Sequence, residues 1–148
     1  MARIAGGRIE RPGFVWIGIA AQVFVGVMAV PVGLVMALEP NGSPLGIPHE
    51  WVADSVFGSF LVPGLFLLLV NGIGQLVAAA LAVMRTPSAP WLMGAFGVVL
   101  MAWIVVQVLV IPLSVLQPII FALGLLEGII AVLWLRGLGW LGARTGDG

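Results

Sequence analysis

The chain has 148 residues, of which 61% are hydrophobic and 8% charged, and its mean hydropathy is +1.22. That composition lies outside the range of soluble domains and excludes a soluble fold. Zero net charge with six arginines and no lysine leaves no basic patch for nucleic acid, and the lack of cysteine excludes disulfides, thiolate metal sites and thiol redox chemistry.

Four apolar segments, about 14–37, 62–84, 91–111 and 115–135, are each long enough to cross a bilayer core of about 30 Å. They predict an all-α membrane protein, a left-handed antiparallel four-helix transmembrane bundle forming a single domain over residues 1–148. The chain opens on a basic arm, residues 1–12, ahead of the first helix. That apolar run exceeds the usual span of a signal peptide and ends without a small-x-small cleavage site, so the helix is expected to be retained. Glu39-Pro40-Asn41-Gly42 ends the first crossing, and an outer loop of about 38–61 follows. Within it Pro48-His49-Glu50-Trp51 predicts a short surface helix over residues 48–53, anchored by Trp51 and covering part of the bundle mouth. His49, Glu50 and Asp54 read as a solvated polar rim and not as a metal site. Asn41-Gly42-Ser43 reads as a turn.

The second helix is expected to start near Val62, with Pro63 in its first turn, and to stop at Arg85-Thr86-Pro87. The third begins after Pro90 and ends at Ile111-Pro112, so close to the fourth that the two must be antiparallel neighbours. Ser114 and Gln117 have capping-box spacing, whereas Pro118 fits a helix starting at Gln117 or Pro118; both boundaries stay open.

Every arginine (Arg3, Arg8, Arg11, Arg85, Arg136, Arg144) falls where an even number of crossings puts it on one side. By the positive-inside rule the chain is a multi-pass protein of the plasma (inner, cytoplasmic) membrane, with both termini cytoplasmic. Trp16, Trp91, Trp134 and Trp140 map to the inner interface and Trp51 to the outer one, with Trp103 alone at mid-membrane. The excess of Gly, Ala, Val and Arg over lysine points to a GC-rich bacterial source.

Three helices carry narrow stripes of small and polar residues, the faces that pack together in lipid. They are Gly18, Gln22, Gly26, Ala29 and Gly33; Gly64, Asn71, Gly74, Gln75, Ala78 and Ala82; and Gln117, Gly124, Glu127, Gly128 and Ala131, with Gly124 and Gly128 as a G-x-x-x-G packing pair. The third helix instead groups Gln107 with Met93, Phe96, Leu100, Trp103 and Ile111, and is expected to supply bulk. The intramembrane polar cluster is therefore Gln22, Asn71, Gln75, Gln107 and Glu127.

At 1.5 Å per residue, Gln22, Gln75 and Glu127 lie level, roughly 13–17 Å from the inner boundary. A charged carboxylate facing lipid there costs at least about 2.5 kcal/mol, so Glu127 is expected to be neutral and to face the bundle, with Gln75 as first partner and Gln22 as second. A hydrogen-bonded clamp and a proton-coupled or ligand-binding carboxyl are both open to it, as is contact with a partner subunit. Catalytic templates are missing: Glu127 has no second acid, and there is no Ser/His/Asp set, no H-E-x-x-H, no phosphate-binding glycine loop and no histidine placed for haem. No catalytic residue, cofactor or metal is assigned.

Asn41-Gly42-Ser43-Pro44-Leu45-Gly46-Ile47-Pro48 with Trp51, then Phe57, Pro63-Gly64-Leu65, Trp103-Ile104-Val105-Val106 and Leu116-Gln117-Pro118 give the chain a resemblance to a group of small, uncharacterised four-helix membrane proteins of bacteria, actinobacterial in type. The resemblance covers most of the chain and implies architecture without an activity. Glu127 also resembles the membrane glutamate of small multidrug resistance transporters, which carry it in the first of four helices where this chain carries it in the fourth. The expected role is non-enzymatic: a bilayer protein binding a membrane-protein partner or a lipophilic small molecule, with a homo-oligomer open to it. The alternatives are a proton-coupled small-molecule transporter using Glu127 and a lipid-modifying enzyme.

Overall fold

The computed structural model describes residues 6–141. Their regular elements are helices: α1 (Val15–Leu38), a 3₁₀ turn (Ser43–Leu45), the short α2 (Glu50–Ala53), α3 (Leu61–Val83), α4 (Ala89–Val110) and α5 (Leu116–Gly137). All but α2 and the turn are long and apolar enough to cross a membrane. The boundaries match the punctuation of the sequence, with small differences. Helix α4 begins at Ala89 and takes Pro90 into its first turn, where a missing N–H costs little, so it starts before the proline and not after it. Helix α5 begins at Leu116, and the Gln117 side chain accepts a hydrogen bond from the Ser114 N–H at 2.8 Å. That bond is the returning half of a capping box, with Pro118 held inside the first turn.

Helix α3 is not regular. Its middle, Leu67–Gly74, is π-helical, between α-helical ends Leu61–Phe66 and Gln75–Val83. The wider turns fall where Gly72 and Gly74 remove side-chain bulk and Val30 and Phe96 press in from α1 and α4. The apolar pattern of Leu67-Leu68-Leu69-Val70 does not distinguish an α from a π turn.

Two close approaches set the packing. A Cβ on Gly33 would lie 2.5 Å from the Leu68 nitrogen and 2.8 Å from the Gly64 oxygen, so α1 and α3 meet backbone to backbone. A Cβ on Gly97 would lie 2.6 Å from the Gly124 oxygen and 3.0 Å from the Gly128 nitrogen, so α4 and α5 do the same. Gly97 thus belongs to the small-residue contact, and α4 contributes more than the bulk expected of it. Met93, Leu100 and Trp103 do fill the interior. Of the predicted pair, Gly124 packs tightly, whereas a Cβ on Gly128 would meet open space.

The arginine end is closed by the chain's own N-terminal arm. Ile9 is buried with Val15, Ala82, Met93, Ile130 and Trp134 in one apolar cluster. Its N–H donates to the Arg85 carbonyl at 2.9 Å. Trp134 is fully buried and donates its indole N–H to the Glu10 carbonyl at 2.8 Å, so it is a core residue of this end and not the interfacial ring expected from its position. Trp16 and Trp91, by contrast, are about half exposed. Arg3 and Arg144 lie outside the described residues.

At the other end the loop folds back on itself through a bond from the Phe60 N–H to the Pro40 carbonyl at 2.9 Å. The surface helix is shorter than the predicted 48–53. Its buried anchor is Val52, 1% exposed, and not Trp51, 37% exposed. One turn of helix can bury one side chain, and the smaller valine fits beneath the loop.

Candidate functional site

Four polar side chains are fully buried at mid-helix: Gln22 on α1, Asn71 and Gln75 on α3, and Glu127 on α5. Their helices are held by the glycine contacts on either side. Gly18 lies against Met93 and Ile130, and Gly26 against Gly72 and Leu76, which sets Gln22, one turn from each, level with Gln75 and Glu127. The Glu127 Cβ lies 3.0 Å from where a Gly97 Cβ would stand, so α4 closes the remaining side with backbone.

Within this layer one contact is complete. The Gln75 Nε2 donates to both carboxyl oxygens of Glu127, at 3.1 and 3.3 Å. Gln22, expected as the second partner, makes no hydrogen bond to Glu127. Both polar atoms of its amide, both of Asn71 and the Gln75 Oε1 are buried without a partner among the described residues. A shared depth brings residues to one level without pairing them, and the Gln22 amide is buried with no partner among the described residues. The fifth predicted member, Gln107, stands apart. It is half-buried on α4 near the loop end and lines a different, apolar cavity.

That cavity, about 40 Å³, lies beneath the loop. Met36, Val52, Phe57, Phe60, Leu67 and Trp103 line it, so α1, the loop, α3 and α4 all contribute. Trp103 is stacked on Phe66, ring centroids 4.6 Å apart, and its buried indole N–H has no partner among the described residues. The volume holds a methyl branch or the tip of an alkyl chain, and its apolar lining favours a lipophilic ligand. Sequence reasoning places Trp103 at mid-membrane but finds no cavity, because the cavity depends on how Val52 and Phe57 fold over it. A second, shallow depression runs along the outer face of α1 over Trp16, Val23, Phe24 and Val27. Neither hollow is lined by Glu127 or Gln75.

Comparison with known proteins adds no relative: no protein-family model, curated protein or solved structure matches the chain.

Proposed function

We propose that this chain is a non-enzymatic protein of the bacterial plasma membrane, an antiparallel four-helix bundle with both termini cytoplasmic, that binds a lipophilic small molecule beneath its outer loop. The antiparallel order is supported by contacts that run in opposite senses along the chain: Gly26 to Gly72 and Gly33 to Gly64, and Gly94 to Ala131 and Gly97 to Gly124. The orientation rests on the arginines, and kinship with the small four-helix bacterial proteins belongs to the same proposal. The observation carrying the ligand reading is the apolar cavity that the loop closes over α1, α3 and α4.

Purification in mild detergent followed by native mass spectrometry tests it. A small lipophilic molecule should travel with the wild-type chain and be lost from Val52→Leu, whose extra methylene takes up the cavity. Retention by that variant, or nothing bound to the wild type, counts against the reading. A second reading, proton-coupled transport through Glu127, is favoured by the partnerless amides of Gln22 and Asn71, fully buried at mid-helix as the carboxyl is. Reconstituted vesicles separate the two: a carrier accumulates substrate under a proton gradient, and Glu127→Gln folds normally yet abolishes that dependence.

A further inference from the structure

At the arginine end the N-terminal arm brings two guanidinium-bearing residues together. Arg11 donates through Nη1 to the carbonyls of Ala82, at 3.2 Å, and Val83, at 2.9 Å, and its guanidinium lies 4.0 Å above the Trp16 ring. Arg85 closes α3 with φ of +62°, a left-handed conformation rare outside glycine, and its carbonyl holds the Ile9 N–H. Its side chain is exposed and makes no hydrogen bond among the described residues. Partial burial, and then the charge of Arg85, hold the Arg11 pKa below the ordinary arginine value, so the two cations feel each other.

Among the described residues, carboxylates do not relieve that repulsion. Among the described residues neither arginine has a carboxylate within ion-pair distance, although the exposed Glu10 is next in sequence to Arg11. The carbonyl end of α3 supplies only partial negative charge. Arg8, also exposed, adds a third cation beside Ile9. The rim around them is apolar: Phe14, Trp16, Val83 and Met84 are all exposed. A soluble anion has no use for such a rim, whereas a lipid sets its phosphate at the cations and its chains along the rim.

We infer that Arg11 and Arg85 form a binding site for the phosphate of an anionic phospholipid in the leaflet at the arginine end, with Trp16 beside the headgroup. The site rests on the membrane reading above and is independent of the cavity at the other end. Arg11 is committed on one nitrogen to α3 and offers its remaining N–H groups in a fixed orientation. Arg85 offers the whole fork.

The full chain, reconstituted with equal amounts of phosphatidylglycerol and phosphatidylcholine and released from mild detergent into a native mass spectrometer, should retain the anionic lipid preferentially. Arg85→Gln breaks no bond of the fold and should lower that preference about fivefold, the weight of one arginine at a membrane surface. Arg136→Gln, an exposed arginine at the same end but outside the pair, should leave it unchanged. Equal loss in both variants would make the attraction a diffuse charge effect and overturn the site. So would displacement of the lipid by millimolar inorganic phosphate, or a wild-type chain without preference. A chain that stays out of the bilayer overturns the membrane reading as well, whereas one that inserts without preference overturns the headgroup site alone.

Discussion

The two ends of the bundle are built on opposite plans. At the arginine end the chain fills its own interior: Ile9 comes from the arm, Trp134 from α5, and Arg11 and the Ile9 N–H tie the arm to the last turn of α3. At the loop end a segment of similar job, closed by the Phe60–Pro40 bond, covers the helices with Val52 and Phe57 and leaves space beneath them. The arm and the large Trp134 ring fill the arginine end together. A loop whose helix is one turn long covers the other end without filling the space beneath it. The difference teaches where stability and where ligand capacity reside, with the Gln75–Glu127 layer between them.

The comparison breaks most directly at Trp134. Trp134→Ala removes the largest fully buried side chain and should cost about 3–5 kcal/mol, read from denaturant unfolding in detergent. A loss below about 1 kcal/mol would deny the arginine end its role as the packed one. Gly97→Ala, which forces a methyl onto the α5 backbone, should cost about 1–3 kcal/mol in the same titration and would show that both ends depend on the central crossing. In the layer itself Glu127→Leu strands the Gln75 amide and should cost roughly 1–2 kcal/mol, while Glu127→Gln keeps shape and hydrogen-bonding capacity and should unfold with the wild type. Equal behaviour of the two variants would mean that the buried contact carries no weight. The smallest effect is expected at the loop: Val52→Ala should cost about 1 kcal/mol or less, because the site already borders a cavity. A loss as large as that of Trp134→Ala would erase the contrast between the ends.

What the sequence reveals here is position along an axis. Length and hydropathy mark the four long helices to within a few residues, since bilayer thickness and the 1.5 Å rise leave little freedom. Counting from the arginines likewise sets Glu127 level with Gln75, and their contact follows. Direction around the axis is harder to read. Gln22 shares the depth but makes no bond to Glu127, and Gln107 shares the residue type but lines the cavity at the loop end. Trp134 has the position of an interfacial ring, yet the arm that buries it acts through Ile9 and Glu10, about 125 residues earlier in the chain. Gly97 is hidden for a related reason. It sits among bulky neighbours on α4, and its importance comes from the Gly124 backbone opposite, which no pattern within α4 announces.

The π-helical stretch Leu67–Gly74 bears on how this chain tolerates changes of length. A π turn closes over one residue more than an α turn, so the stretch holds slack that a regular helix lacks. Removing one residue from Leu68, Leu69 or Val70 should let the segment tighten to α geometry while Gln75 keeps its face toward Glu127. The same deletion in regular α5 would swing every later side chain by a fraction of a turn and take Trp134 out of its place. The second helix is thus the crossing in which a single-codon deletion is expected to survive, and helical content with unfolding midpoints of the two deletions would show whether it does.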